Sequence, residues 1–189
     1  MNKAIFLDRD GTINIEKHYL YKIDDFEFLP GVIQALKRLQ DAGYLLIIVT
    51  NQSGIARGYY TEREYEALSN WMIGELRKHD VIISAVYYCP HLPDATVIKY
   101  RKDCNCRKPK LGMYRQAIVE HDIMLPQSYA IGDKIRDCAI CEQTDCRGFL
   151  IGLNEDPTII ERVRAGEYTR VKYASSLAEA ASMILNASK

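Results

Sequence analysis

Two aspartates separated by one residue follow the first apolar stretch of the chain. Residues 8–12 read DRDGT and come directly after the apolar run at residues 5–7. Residues two apart in extended backbone point to the same side, so Asp8 and Asp10 can face one site. One carboxylate of such a pair could attack as a nucleophile, and both could hold a hard cation. An Asp-rich turn is the alternative interpretation, because Asp and Gly both favour turns.

Polar residues also follow two later apolar stretches. Thr50 and the run NQSG at residues 51–54 offer a hydroxyl and successive backbone amides that can bind phosphate oxygens. A plain polar turn fits that run equally well. Asp133, in the run GDK at residues 132–134, could bring a further metal-binding carboxylate to the first pair. The alternative for Asp133 is the N-cap of a helix.

A second group of residues combines thiols with an imidazole. Cys89 and His91 are followed, after twelve residues, by Cys104 and Cys106. Three thiolates and one imidazole complete the tetrahedral shell of a structural Zn²⁺ and leave no open position. Cysteines buried as small hydrophobes are the alternative, but they fit poorly with two tight pairs in an irregular segment that contains prolines. We therefore predict a zinc loop at residues 89–106, which would hold the two basic residues after it over the site.

The rest of the chain must supply the elements that position these residues. Short, continuously apolar stretches predict strands, and stretches with helical spacing alternate with them. Predicted strands cover residues 3–7, 45–49, 85–88, 128–131, 148–151 and 170–173, and predicted helices cover 31–42, 61–79, 112–121, 135–143 and 176–187. Capping boxes are expected at Thr61–Glu64 and Ser176–Glu179. This alternation predicts an α/β fold, a Rossmann-like parallel sheet with helices on both faces and a ligand site beyond the carboxyl ends of its strands.

Length and composition limit the class of protein. A chain of 189 residues is long enough for a single domain, which we predict over residues 1–189 with the zinc loop included. The 25 basic and 25 acidic residues cancel, so nothing indicates a surface for nucleic acid or an anionic membrane. No apolar run approaches the roughly 20 residues that span a bilayer, and the run at residues 5–7 is too short for a signal peptide. We therefore expect a cytoplasmic protein, and a monomer.

Three cysteines lie outside the predicted zinc loop. In a cytoplasmic protein, thiols or metal ligands are expected rather than disulfides. The three are Cys138, Cys141 and Cys146. We predict that Cys138 and Cys141 pack inward from a helix, and a redox pair is the alternative.

The order of these motifs resembles that of the haloacid dehalogenase superfamily of phosphotransferases. The shared features are the DRDGT segment at residues 8–12, the strand-terminal Thr50, Lys108 in the run RKP, and the Gly132-Asp133 pair. With Asp137, which ends the run GDKxxD at residues 132–137, they span residues 8–137. The resemblance implies a fold of the haloacid dehalogenase type, here with a zinc-bound loop and no large cap domain.

What the resemblance implies is a phosphatase that works through an aspartyl-phosphate intermediate. Asp8 would be the nucleophile, and Asp10 would serve as general acid and then general base. The Asp8 carboxylate, the Asp10 carbonyl oxygen and Asp133 would hold Mg²⁺. Thr50 and Lys108 would stabilise the charge on the phosphoryl group during transfer.

Within the superfamily, the chain resembles the bacterial D-glycero-D-manno-heptose 1,7-bisphosphate 7-phosphatases. The matching runs are FLDRDGTIN at 6–14, TNQSGIARG at 50–58, YYCPH at 87–91, CNCRKP at 104–109 and GDK at 132–134. The resemblance implies a small sugar phosphate substrate, cleaved at C7 to heptose 1-phosphate in nucleotide-activated heptose biosynthesis. Histidinol-phosphate phosphatases are the alternative, but they usually have a shorter zinc loop and NQDG in place of NQSG.

The resemblance and the charges at the strand ends indicate which residues bind the substrate. The run EKHY at 16–19 corresponds to substrate-contacting positions of the family, although only Tyr19 fits the usual pattern well. Residues 142–148 depart from the small-residue run that usually follows the GDK motif in the family. The expected substrate-binding residues are Glu16, Lys17, His18, Tyr19, Asn51, Gln52, Ser53, Arg57, Arg107 and Lys134. An inactive, zinc-stabilised binding module on the same fold is the alternative from another class.

Overall fold

Six parallel strands form the centre of the protein. The computed structural model describes residues 1–152 and 154–187. The strands are β1 (Ala4–Leu7), β2 (Leu45–Asn51), β3 (Ile83–Cys89), β4 (Tyr129–Gly132), β5 (Arg147–Ile151) and β6 (Val171–Ala174). They make one sheet in the order β3-β2-β1-β4-β5-β6, with each neighbouring pair parallel. The predicted parallel α/β sheet is therefore confirmed.

Seven α-helices are present in the described part of the chain. They are α1 (Val32–Asp41), α2 (Ser53–Arg57), α3 (Glu62–Arg77), α4 (Gly112–His121), α5 (Ala139–Gln143), α6 (Pro157–Arg164) and α7 (Leu177–Ala187). Helices α2 and α6 were not predicted, and β2 extends two residues further than predicted, through Thr50 and Asn51. The helix predicted at 135–143 is divided into a 3₁₀ turn, Ile135–Cys138, and α5.

The two faces of the sheet are covered by different helices. In β1, Ile5 and Leu7 belong to one buried cluster with apolar residues of α1, α3 and α7, whereas Ala4 and Phe6 belong to the opposite cluster with residues of α4, α5 and α6. Side chains alternate across a strand, so a continuously apolar strand needs cover on both faces. This explains why β1 contains no polar residue until its carboxyl end.

The two predicted capping boxes have different outcomes. At α3, the Thr61 hydroxyl accepts from the Glu64 amide at 3.2 Å, and the Thr61 amide donates to the Glu64 carboxylate at 2.7 Å, as predicted. At α7, the Ser176 hydroxyl accepts from the Glu179 amide at 3.2 Å. The Glu179 carboxylate, however, accepts from the amide and hydroxyl of Ser175, at 2.6 and 2.5 Å. The second box is therefore only half correct, because Glu179 finds two donors one residue earlier.

The long segment between β3 and α4 contains the predicted zinc loop. It packs against α2, where the Val97 amide donates to the Ala56 carbonyl at 2.9 Å. It begins at the carboxyl end of β3, where Cys89 pairs with Asn51 of β2. The loop thus lies at the sheet edge that also carries the ends of β1, β2 and β4. Within the described residues, no helix has the combination of length and apolar character that crossing a membrane requires.

Candidate active site

A buried lysine lies between two carboxylates at the carboxyl end of β1. The Lys108 Nζ atom is 2.8 Å from Asp8 Oδ1 and 2.7 Å from Asp137 Oδ1, and it donates to the Val49 carbonyl at 2.6 Å. Burial alone would lower the pKa of the Lys108 ammonium, but the charges of Asp137 and Asp8 hold it above its ordinary value. Lys108 is therefore a fixed positive charge beside Asp8.

Three carboxylates form an acidic cluster at the same place. Oxygen atoms of Asp8, Asp133 and Asp137 lie within 4.8 Å of one another. Burial, opposed by Lys108 and reinforced by the neighbouring carboxylates, raises the pKa of Asp8 to about 7. Burial and the charge of Asp137 raise the pKa of Asp133 to about 6. Because one ammonium does not neutralise three clustered carboxylates, this set of oxygen ligands fits a hard divalent cation such as Mg²⁺.

Gly11 allows the first acidic loop to approach Asp133. Its φ angle is +78°, and a Cβ atom at this position would lie 2.1 Å from Asp133 Oδ2. A positive φ costs glycine little, whereas a side chain here would collide with the cluster. The Asp133 carboxylate also accepts from the Asn154 side-chain amide at 3.1 Å, which fixes its orientation.

The Asp10 carboxylate is held by three neighbouring side chains. The Arg9 guanidinium contacts both of its oxygens, at 2.8 to 3.2 Å. The side-chain amides of Asn14 and Gln52 donate to it at 3.1 and 3.0 Å. Asp10 lines the cleft described below, so its carboxylate is a pre-oriented group that can exchange a proton with a ligand.

The end of β2 connects the acidic loops to the zinc loop. The Asn51 side chain accepts from the Lys108 amide at 3.0 Å and donates to the Lys108 carbonyl at 3.1 Å. The Gln52 amide group donates to the Thr50 hydroxyl at 3.0 Å, and its oxygen accepts from the Tyr60 hydroxyl at 2.6 Å. Asn51 and Gln52, predicted to bind substrate, therefore use side-chain atoms to position their neighbours.

These groups lie on one cleft of about 560 Å³. Thr50 is buried behind the cleft, against Gln52. Lys17 lies outside this lining, and its ammonium pairs with Glu27. The other predicted substrate-binding residues all line it, namely Glu16, His18, Tyr19, Asn51, Gln52, Ser53, Arg57, Arg107 and Lys134.

Three arginines form a cationic rim around the cleft, namely Arg57, Arg107 and Arg136. Burial lowers the pKa of the Arg107 guanidinium, the charges of Cys89 and Cys104 oppose this, and the charges of Arg136 and Arg57 act in the same direction as burial. Within residues 1–152 and 154–187, the arginines that form ion pairs with carboxylates are Arg9, Arg162 and Arg170, so no rim arginine is held in an ion pair with a protein carboxylate. Guanidinium groups in this arrangement suit a multiply charged oxyanion.

The four predicted zinc ligands converge on one point. The three sulfur–sulfur distances among Cys89, Cys104 and Cys106 are 3.4, 3.1 and 3.0 Å, and His91 Nδ1 is 3.7 and 3.3 Å from Cys89 and Cys106. Around a Zn²⁺ with Zn–S bonds of about 2.3 Å, the edges of the tetrahedron are about 3.8 Å long. The observed cluster is slightly more contracted, and its donor set fits zinc without an open position.

Several residues of the site were not predicted from the sequence. Asp137 was part of a recognised motif but was not assigned a role, and its ion pair with Lys108 depends on residues 29 positions apart. Asn154 follows β5, so the rule that sites lie beyond strand ends could have identified it. Arg9 lay inside the recognised DRDGT run without an assigned role, and Tyr60 and Arg136 carried no local signal, because these roles depend on which groups the fold places beside each residue.

The chain is similar to known phosphatases. Residues 3–137 match the family described as polynucleotide kinase 3 phosphatase. A D-glycero-beta-D-manno-heptose-1,7-bisphosphate 7-phosphatase from Haemophilus ducreyi is 52% identical over 141 residues, which cover 74% of this chain and 77% of that relative.

Solved structures with the same fold agree with this similarity. The D,D-heptose 1,7-bisphosphate phosphatase from B. bronchiseptica, complexed with magnesium and phosphate, has a TM-score of 0.78 at 31% identity, and covers 98% of this chain and 99% of its own. A haloacid dehalogenase superfamily hydrolase from Ehrlichia chaffeensis has a TM-score of 0.63 at 12% identity over 100% of both chains, which shows the shared fold alone.

Proposed function

Because the chain belongs to the haloacid dehalogenase superfamily, and within it to the heptose-1,7-bisphosphate 7-phosphatases, we propose that it removes the C7 phosphate of D-glycero-beta-D-manno-heptose 1,7-bisphosphate and leaves heptose 1-phosphate. One observation carries the proposal. The Asp8 carboxylate, with Lys108 beside it, lies in a cleft with a rim of unpaired arginines. Such a cleft suits a ligand with two phosphates, one at the nucleophile and one at the rim.

The reaction proceeds in two steps. An Asp8 oxygen attacks phosphorus in line, the bond from phosphorus to the C7 oxygen breaks, and Asp10 gives its proton to the leaving alkoxide. A water molecule then attacks the aspartyl-phosphate, Asp10 takes the proton from that water, and phosphate leaves with the Asp8 carboxylate restored. Lys108, which lines the cleft, stabilises the charge on the phosphoryl oxygens in both steps, while the Thr50 hydroxyl behind the cleft accepts a hydrogen bond from Gln52 and holds it in place.

Magnesium fits the acidic cluster. The carboxylates of Asp8 and Asp133 and the Asp10 carbonyl oxygen would hold Mg²⁺, with Asp137 close by, and the bound ion would neutralise charge on the transferring phosphoryl group. We also propose that a structural Zn²⁺ joins the loop 89–106, because a loop without an apolar core of its own gains stability from metal ligation.

The cationic rim favours a sugar bisphosphate over histidinol phosphate. At the distance of the second phosphate, histidinol phosphate has an ammonium, and Arg57, Arg107 and Arg136 would repel it. The family description of residues 3–137 names a polynucleotide phosphatase, so a nucleic acid 3′-phosphate is the other substrate to test. The zero net charge of the chain does not favour nucleic acid.

A location in the cytoplasm and a monomeric state complete the proposal. None of the six cysteines forms a disulfide, which suits a reducing compartment. Size-exclusion chromatography with light scattering measures the oligomeric state directly, and a dimer mass would contradict the second part.

The experiment that tests the function is a steady-state substrate panel at fixed Mg²⁺ and ionic strength. The panel contains heptose 1,7-bisphosphate, fructose 1,6-bisphosphate, histidinol phosphate and a 3′-phosphorylated oligonucleotide. We expect kcat/KM to be highest for the heptose bisphosphate, with release of the C7 phosphate only. A higher value for histidinol phosphate or the oligonucleotide would overturn the substrate assignment.

A variant of the rim tests the electrostatic reason for this specificity. We expect Arg107→Ala to raise KM for the heptose bisphosphate and to narrow its advantage over histidinol phosphate. Lys102→Ala, which removes an exposed cation of the same loop from outside the cleft, is the matched control and should leave the ranking as it is. An unchanged ranking in Arg107→Ala would show that the rim does not select the substrate.

A further inference from the structure

The arginine between the two catalytic-loop aspartates is almost completely buried. Arg9 is 1% exposed, and it lies outside the lining of the cleft. Its guanidinium lies 5.5 Å from the centre of the Tyr65 ring and donates to the Leu20 carbonyl at 3.1 Å. Substrate therefore reaches Asp10 from the cleft, while Arg9 contacts Asp10 from within the protein.

The contact between Arg9 and Asp10 has two points of attachment. Nε and one terminal nitrogen of Arg9 reach both carboxylate oxygens, whereas Asn14 and Gln52 each provide one donor. The terminal torsion of an aspartate has a broad preference, so one donor leaves the plane of the carboxylate free to turn. A planar guanidinium that holds both oxygens fixes that plane.

We propose that Arg9 is a positioning residue that holds the Asp10 carboxylate in the plane needed for proton transfer to the leaving-group oxygen. Arg9 thereby determines how well the enzyme expels poor leaving groups. This inference rests on the proposed role of Asp10 as the general acid, but not on the identity of the sugar.

A purely structural role for Arg9 makes a different prediction. A buried arginine that only supports the loop from Asp8 to Leu20 would, when replaced, slow every substrate by the same factor. A positioning role slows phenyl phosphate more than 4-nitrophenyl phosphate. The phenolate has a pKa of about 10, as in tyrosine, and needs a proton to leave, whereas 4-nitrophenolate leaves as the anion.

The experiment compares kcat/KM for these two aryl phosphates in the full chain with Mg²⁺. We use kcat/KM because it reports the phosphorylation step, in which the leaving group departs. In Asp10→Asn, which loses the proton donor, we expect an additional loss on phenyl phosphate of about 10²–10⁴-fold. In Arg9→Met we expect a smaller additional loss of kcat/KM on phenyl phosphate, on the order of 10- to 100-fold. In the Asp10→Asn background, Arg9→Met should add no further selective loss.

Control variants separate positioning from general damage. Arg162→Met removes an arginine that also pairs with a carboxylate, Glu167 at 2.7 Å, and also lies over a tyrosine ring, Tyr168 at 5.4 Å, but on helix α6. Arg162→Met should leave the ratio of kcat/KM for 4-nitrophenyl phosphate to kcat/KM for phenyl phosphate at its wild-type value. Arg9→Lys keeps the charge but cannot hold both oxygens, so it should show an intermediate selective loss, and it decides the question if Arg9→Met does not fold.

The outcomes distinguish this inference from the proposed function. If both Arg9 variants lower kcat/KM equally for the two esters while Asp10→Asn is selective, Arg9 is a structural residue and the inference is wrong. If Asp10→Asn is not selective either, general acid catalysis by Asp10 and the inference fall together. The sugar substrate is judged separately, from the panel described above.

Discussion

Replacing Lys108 by methionine removes a buried cation that lies between two carboxylates. Lys108 is 2% exposed, and its ammonium is within 2.8 Å of both Asp8 and Asp137. Two unit charges about 4 Å apart attract by about 4 kcal/mol at an effective dielectric constant of 20, before desolvation is subtracted. Loss of one partner of a buried ion pair typically costs about 3–5 kcal/mol. We therefore expect Lys108→Met to lose about 3–5 kcal/mol of unfolding free energy at pH 8 without Mg²⁺.

The loss of unfolding free energy in Lys108→Met should become smaller at lower pH. Burial already raises the pKa of Asp8 to about 7 with Lys108 present, and removal of that cation raises it further. At pH 6 the variant can therefore protonate Asp8 and avoid an unpaired buried charge. Added Mg²⁺ should restore part of the lost stability, because a cation returns to the acidic cluster.

Activity should not recover with stability. Removal of one preorganised group that stabilises transition-state charge typically costs about 10²–10³-fold in kcat. Urea unfolding with EDTA or Mg²⁺, and steady-state turnover of 4-nitrophenyl phosphate, measure the two effects. The double variant Lys108→Met with Asp137→Asn should regain stability but remain inactive.

Lys110→Met is the matched control for this prediction. Lys110, two positions after Lys108 in the chain, forms an exposed ion pair with Asp103. Exposed pairs are worth about 0–1 kcal/mol, so both stability and turnover should change little. A kcat for Lys108→Met within tenfold of the wild type, or a stability within about 1 kcal/mol, would refute the reasoning.

Further predictions concern the acidic cluster and the zinc loop. Asp8→Asn should abolish turnover because an amide is a poor nucleophile, and persistent Mg²⁺-dependent hydrolysis would contradict the covalent mechanism. Because the pKa of Asp8 is raised in the folded state from 3.8 to about 7, the native protein binds more protons than the unfolded chain in that window. The contribution of Asp8 to stability should therefore fall as pH rises from about 4 to 7, which the difference between wild-type and Asp8→Asn melting temperatures in EDTA measures. A difference in melting temperature that stays the same from about pH 4 to 7 would contradict a raised pKa of Asp8 in the folded state. Elemental analysis should find one zinc per chain, and Cys104→Ser should lose it and increase proteolysis within residues 89–110 while the circular dichroism of the sheet persists.

The sequence alone was sufficient for the sheet and for the residue types at its edge. Apolar runs predicted β1 to β5, the mixed run RVKY at residues 170–173 predicted β6, and the polar residues that follow the apolar runs include Asp8 and Asp133 of the acidic cluster. These features are local, because strand burial and turn chemistry depend on neighbouring residues. The cluster of Cys89, His91, Cys104 and Cys106 was also predicted from the sequence, since thiol and imidazole side chains at that spacing have few uses other than the zinc site we propose.

The tertiary structure decided which groups become partners. Lys17 and Lys134 both looked like substrate ligands, but Lys17 pairs with Glu27 while Lys134 lines the cleft. Lys108 reaches Asp8 across 100 positions of sequence, and Arg9 turns inward beneath Asp10. A charged side chain takes whichever partner the crossover connections bring within about 3–4 Å, and Coulomb attraction in the buried site then fixes the choice. Spacing along the chain does not give the distance between two side chains in space. The sequence therefore predicted which residue types form the site, whereas the fold determined which of them contact each other.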